Sequence, residues 1–566
     1  MERCADGSWP AGVPTFPLVS EDAGMTVIAA RLREGRDLVR RGAWAEARKV
    51  FAIAFEESGD PAAAEGIARA AWWLEDDTEV TARYEDAYRG YRAAGDDRGA
   101  GRVAAWLGNG ALQLRGEAAV AQGWFQRAER LLAEQSEGEE HGLLALFKGM
   151  AARSRGDMRQ ATELAARAVE IGRRLGSPDL EIQGMALNGM ARIGQGEVAD
   201  GMRLLDEAAA AALAGEVREV GSVWIPTCFL VQGCEQVRDW DRAEQWRARV
   251  MDFCRRFDLG TPFSRCRTHY STILLWRGDW AAAEAELLHA AKALRIQRPL
   301  FAAEAWVRLG ELRRRQGRWE EAAELFALSR SLPAARIGQA ELRLDRGDPE
   351  GALDIAGRLL DALSGAERGP ALEVFVRAGV RTKNPDVVAR AVEELAEIAR
   401  VSGIEAVEAA ALWARGAHRA ALTDTAGAIT LLEKGIELYE RAGGPYDAAR
   451  ARIELVSVLL ASGRAGPAVE EARVAQEVFE RLGATADARR ANRLVTRAQS
   501  TPTAELTSRQ VEILRLLAVG LTNAEIANRL VLSEHTVKRH VANILGRLAL
   551  PSRTAAVAYA SRAGLL

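Results

Sequence analysis

Lys538 and Arg539 stand side by side in SEHTVKRHVANILGRL, a run that also carries His535, His540, Asn543 and Arg547. A guanidinium can pair bidentately with guanine or phosphate, and an ammonium acts as a point charge. Neighbouring hydroxyl and amide groups can bond base edges or backbone oxygens. The chemistry on offer is therefore recognition of a polyanion. The plainer alternative is a solvated helix face.

Such groups need a rigid element to carry them. Thr507 with Gln510, and Thr522 with Glu525, are capping boxes that mark two helix starts. Apolar residues recur at helical spacing: Ile513, Leu516 and Leu517, then Ile526, Ala527 and Leu530, then Val537, Val541, Ile544 and Leu548. Three such faces can close a small core and leave one basic, polar helix surface free.

The segment from Leu506 onward resembles the LuxR/FixJ-type helix-turn-helix domain. The family pattern runs L-T-x-R-E, G-x-[ST]-N-x-E-I-A, [ST]-x-x-T-V-K-x-H and N-I-x-x-K-L. Matching residues are Leu506, Thr507, Arg509, Gly520, Thr522, Asn523, Glu525, Ile526, Ala527, Ser533, Thr536, Val537, Lys538, His540, Asn543, Ile544 and Leu548. Gln510 and Arg547 depart from the usual Glu and Lys, and Gly546 lies inside the expected recognition helix.

The resemblance implies a small four-helix domain in which Ser533 caps a recognition helix, Glu534 to Leu548, lying in the DNA major groove. His535, Thr536, Lys538, Arg539, Ala542 and Asn543 then reach bases and flanking phosphates, with Arg547 as a further contact. Thr522 and Asn523 offer amides or side chains to phosphate. His540 either touches the DNA backbone or packs beside Val537. A last helix, Ser552 to Ala563, with Ala555, Ala556, Ala558 and Tyr559, supports dimerisation in the family.

Charge is distributed accordingly. The net charge is −3, yet residues 501–566 hold eight basic against four acidic side chains, leaving −7 on the first 500. Only the tip is built to meet a polyanion. The longest uncharged run, Val220 to Cys234, has 15 residues including Pro226, short of the ~18–20 of a membrane span. The first residues lack a signal pattern, so the chain is expected to be cytoplasmic. Six lysines beside seventy arginines fit a GC-rich, bacterial genome.

The long middle repeats. A small or polar residue, often an aromatic two positions later, and a small residue at +5 recur mostly every 39 to 42 residues. Gly42-Trp44-Ala47, Gly278-Trp280-Ala283 and Gly317-Trp319-Ala322 are the clearest copies, with Gly116-Ala121, Gly156-Ala161, Gly347-Ala352 and Gly463-Ala468 beside them. Asp77-Ala82, Gly196-Gly201, Arg238-Ala243 and Thr423-Ala428 are weaker, and Asn384-Pro385 is degenerate. This regularity, with AEAWVRLGELRRRQGRWEEAAELFALS resembling a tetratricopeptide repeat, predicts an all-α superhelix of paired helices. The expected divisions are 1–25 flexible, 26–498 repeats, 499–505 linker and 506–566 helix-turn-helix domain.

Trp224, Phe229, Phe253, Phe257, Phe263, Tyr270 and Trp276 fall off the repeat register. They are either core or the lining of a ligand groove. Cys228, Cys234, Cys254 and Cys266 read as reduced core residues, with a redox sensor open, and Cys266-x-x-His269 as at most half a metal site. No phosphate loop, G-x-S-x-G or H-E-x-x-H string occurs. The first repeat starts near Thr26, leaving no room for a receiver domain. No cofactor or metal and no enzymatic role are expected. The expectation is a DNA-binding transcriptional regulator, homodimeric on duplex DNA, with a protein or small-molecule effector in the repeat groove and RNA polymerase as a further candidate partner. A repeat scaffold whose tip has reduced or lost DNA binding is the alternative.

Overall fold

The computed structural model describes residues 21–256, 264–294, 299–330, 332–382, 385–500, 506–548 and 550–562. Among these the regular structure is helical throughout, so the chain is all-α. It divides into two compact units, one of Met1–Lys148, Arg167–Glu181 and Gly215–Val223, the other of Gly149–Ala166, Ile182–Ala214 and Trp224–Leu566. No described helix is long and apolar enough to cross a membrane. The first helix, Glu21–Arg40, begins inside the stretch expected to be flexible.

Up to Ser500, where the connections are described, successive helices pair across short turns, as in tetratricopeptide repeats. The motif's first residue ends the first helix of a pair in the left-handed region, with φ from 70° to 89° at Gly42, Gly116, Gly156, Gly196, Gly278, Gly317, Gly347 and Gly463. Arg238 and Thr423 take the same slot at 62° and 66°. The +5 residues, from Ala47 to Ala468, are buried where two helices approach. One expected copy is out of register. The turn there is Glu75, at φ 59°, with Val80 buried at +5 and Ala82 exposed. Asn384 lies outside the described residues, and Pro385–Val388 forms a 3-10 turn.

In the first unit, the Phe51 ring is clasped between Gly35 and Gly66. A Cβ at either would stand 2.6 Å from it, so only glycine admits the ring there. Trp44 stacks on Trp73 at 5.2 Å, Tyr84 on Trp106 at 5.8 Å, and Trp106 meets Phe147 edge-on at 4.9 Å. These contacts bury large apolar rings at the joints between pairs.

In the second unit, late repeats return onto middle ones. Leu275, Trp280, Leu287 and Leu312 share one core with Tyr446, Ile453, Phe479 and Ala491. Trp276 Nε1 donates to Ala442 O at 2.8 Å, and Thr485 Oγ1 to Gln316 O at 2.9 Å. Glu341 is buried among Arg377, Arg450 and Arg314, with Arg450 donating at 3.0 Å.

Of the described off-register aromatics, three are core and two, Trp224 and Tyr270, are half-buried. Phe229, Phe253 and Trp276 are buried, and Tyr270 lies under Arg247 at 5.0 Å. Phe257 and Phe263 fall outside the described residues. The cysteine expectation is corrected: Cys228 is disulfide-bonded, while Cys234 keeps a buried thiol whose ionisation burial opposes. His269 is buried and faces carboxylates, its Nδ1 2.6 Å from Glu235 Oε2. Among the described residues no cluster of His, Cys, Asp or Glu is placed to hold a metal.

Candidate nucleic-acid interface

Four helices follow residue 505: α1 (Ser508–Ala518), α2 (Asn523–Leu530), α3 (Glu534–Arg547) and α4 (Arg553–Arg562). Local chemistry sets the starts of the first three. Thr507 and Thr522 each complete a capping box, with Gln510 and Glu525. Ser533 caps α3, accepting from the Thr536 amide at 3.1 Å.

The apolar faces close one small core. Ile513, Leu514, Leu517, Ile526, Ala527, Val537, Ile544, Ala556 and Ala560 are buried in it, with Leu516, Leu530, Val541 and Leu548 packed at its edge. Ala556, expected on a dimerisation face, is spent inside this core. The last helix starts one residue later than expected, with Ser552 Oγ accepting from the Ala555 amide at 3.1 Å. Gly546 does not end α3, which runs on to Arg547.

Burying Val537 and Ile544, with Val541 at the core's edge, turns the other side of α3 outward. His535, Lys538, Arg539, Ala542 and Asn543 are exposed there together. The Lys538 side chain is 64% exposed, and its ammonium lies 3.2 Å from Glu534 Oε1 in an i,i+4 pair. A pair this exposed is worth little, so Lys538 can exchange Glu534 for another anion. His540 is half-buried beside Val541 in sequence.

The remaining expected contact residues are engaged within the domain. The Thr522 amide and hydroxyl both donate to Glu525, at 2.7 and 2.8 Å. Ser533 and Thr536 share a hydroxyl–hydroxyl bond of 2.7 Å. Asn523 Oδ1 accepts from Arg553 at 2.9 Å, and Arg553 also donates to Leu521 O, bracing the start of α2 against α4. Arg547 Nη1 donates to Gln510 Oε1 at 3.0 Å, so the two departures from the family pattern meet as partners. With the Glu525 amide taken by Thr522 Oγ1 at 3.3 Å, what α2 presents at its N-terminal end is the amides of Asn523 and Ala524, ahead of the Ile526 N–H to Thr522 O bond at 2.9 Å.

A capped helix of cationic and amide side chains, held outward by a three-helix core, defines a helix-turn-helix module. Residues 504–560 match the family described as bacterial regulatory proteins, luxR family. The chain thus ends in a LuxR-type helix-turn-helix domain. It is 48% identical over 61 residues to the transcriptional regulatory protein LnrK of Bacillus subtilis (strain 168), covering 11% of this chain and 28% of that protein. It is 35% identical over 109 residues to the transcriptional regulatory protein LiaR of the same strain, covering 19% and 46%. The match therefore spans less than half the length of these relatives. Among solved structures, the chain is similar to the crystal structure of the APC/C hetero-tetramer Cut9-Hcn1, with TM-score 0.38 and 14% identity over 83% of this chain and 98% of that one. It is also similar to the Rap protein complexed with competence and sporulation factor, with TM-score 0.37 and 12% identity over 70% and 99%.

Proposed function

We propose that the chain is a sequence-specific, DNA-binding transcriptional regulator whose helical repeats sense an effector and control the C-terminal module. In this reading residues 26–498 are the sensor, 499–505 the joint and 506–566 the DNA reader. The carrying observation is the exposed row His535, Lys538, Arg539, Ala542 and Asn543 on a helix whose other side is core. That row enters the major groove, where Arg539 pairs with a base or phosphate and Lys538 neutralises phosphate. The first-turn amides of α2 approach the backbone on the flank. Arg547 and Asn523 act by holding α1, α2 and α4 around α3.

One such module buries about 600–1,000 Å² on DNA, too little for tight specific binding. Two copies on a two-fold site supply the rest, with a cytoplasmic homodimer as the working form and RNA polymerase as the downstream partner. A protein or small-molecule effector shifts DNA binding only if it prefers one state of the chain.

Genome-wide footprinting of the full chain supplies the site. Lys538→Ala with Arg539→Ala is then expected to abolish the shift of that site while leaving the helical signal intact. The wild-type affinity should fall steeply with salt, by about 0.9 in log–log slope per phosphate neutralised. A double variant that binds as tightly as wild type overturns the reading.

A further inference from the structure

The first unit contains a cavity of about 310 Å³ bounded by Glu21–Arg40, Pro61–Trp73, Asp97–Arg115 and Glu219. We propose that this cavity binds a small organic anion, a carboxylate or phosphate carried on an apolar body. As the effector site it rests on the sensing reading above.

The charges around the cavity are unequal. Arg36, Arg40, Arg69 and Arg102 line it against Glu65 and Glu219. Both carboxylates are already taken. Glu65 accepts from Arg102 through Nε and Nη2, each at 2.7 Å, and from Tyr91 Oη at 2.8 Å. Arg69 is paired with Glu219. Burial pushes the Glu65 carboxyl up, yet the Arg102 and Arg69 charges and the Tyr91 hydrogen bond outweigh it and hold it below its usual range. Glu65 is therefore an ionised, neutralised anchor, and a cationic ligand gains nothing from it.

The surplus lies at the rim. Among the described residues, Arg40 pairs only with the exposed Asp37, at 2.6 Å, and Arg36 makes no ion pair. A guanidinium fork matches carboxylate and phosphate alike. Val39, Phe51 and Ala62 add an apolar wall to the lining beside these charges. A bare hydrated ion would leave that wall unused. The volume lies at the lower end of small-molecule sites, about 300–1,000 Å³, which suits a compact metabolite and is too small for a folded partner.

Calorimetry on the full chain tests this with adenosine 5′-monophosphate and 4-phenylbutyrate as probes. Adenosine and 4-phenylbutanol are their uncharged counterparts, and inorganic phosphate is the control for charge alone. At least one charged probe is expected to bind about tenfold or more tighter than both its uncharged counterpart and inorganic phosphate. Arg36→Ala, an exposed change, should weaken it about tenfold, and Ala62→Trp should abolish binding by filling the cavity. The proposal is overturned if neither charged probe binds, if charge gives no advantage, or if affinity survives Arg36→Ala unchanged. DNA binding measured with and without the bound probe separates the two readings. A probe that binds here without altering DNA affinity leaves the site standing and removes its role as sensor. An effector that alters DNA affinity with no binding here does the reverse.

Discussion

Glu525 lies at the surface, and its carboxyl is held below the usual range by the Thr522 backbone N–H and then by the Thr522 hydroxyl. Because the folded value is depressed, the cap supports α2 fully above the unfolded carboxyl's range near 4.5. That support fades as pH falls through the lower folded value. Protection factors of the α2 amides, taken against the intrinsic exchange rate at each pH, should therefore fall in the full chain on acidification below about pH 4.5. Glu525→Gln keeps one oxygen, enough to accept both Thr522 bonds, and has no proton to gain, so its protection should lose that acid limb. An unchanged acid limb in the variant would show that some other carboxylate governs α2. Both capping boxes were legible in advance because the bonds span three residues. Asn523–Arg553 and Gln510–Arg547 span 30 and 37 residues, and no local spacing announces them. The sequence pattern assigns Arg547 and Asn523 to DNA, and the bracing bonds to Gln510 and Arg553 are a further role that it does not carry.

Between α2 and α3 the chain turns on Val531, which adopts φ 56° and ψ 49° and is 90% exposed. A β-branched residue in the left-handed region costs about 1–2 kcal/mol, and this one buries nothing in return. Its position is set by Leu532, whose amide reaches back to Ala527 O at 2.9 Å while its side chain packs on the core. Val531→Gly should therefore stabilise the module by about 1 kcal/mol, read as slower amide exchange in α2 and α3. Faster exchange in the variant would mean that Val531 supports the turn through contacts its exposure conceals. The same turn separates what periodicity can and cannot reveal. Apolar spacing exposed all three core faces, and the recurrence of Gly42 and its counterparts exposed the helix pairs. A turn carried by Glu75 leaves no such mark, because charge and glycine-like geometry rarely coincide, and the second repeat was consequently placed two residues late.

At the scale of the second unit, the consequential feature is the return of Pro445–Ser500 onto helices between Ser264 and Asp345. No period predicts it, since repeats specify contacts with their neighbours and these partners lie more than a hundred residues apart. Tyr446 shows how it is held: its ring meets Trp280 at 5.6 Å and Phe479 at 5.7 Å, with Arg315 over its face at 4.5 Å. Glu341 lies at the same seam. Burial pushes its carboxyl up, but Arg377, Arg450 and Arg314 overcome this and hold it well below the usual range. Glu341→Gln would take from Arg377 and Arg450 their carboxylate partner among the described residues, while Arg314 keeps Glu311 and Asp345, and breaking such a buried pair costs about 3–5 kcal/mol. If the unit folds as a closed body, that loss must appear on both sides of the seam. Amide exchange should rise in Pro333–Asp345, which carries Glu341, and equally in Pro445–Ala461, which carries Arg450. A nearest-neighbour solenoid behaves otherwise, loosening only the repeats adjacent in sequence. Exchange confined to Pro299–Arg381 would restore that open-spring description. Matched loosening of both segments would mean that the repeats next to the DNA reader move with the middle of the chain, so that a signal reaching either must shift the pair together.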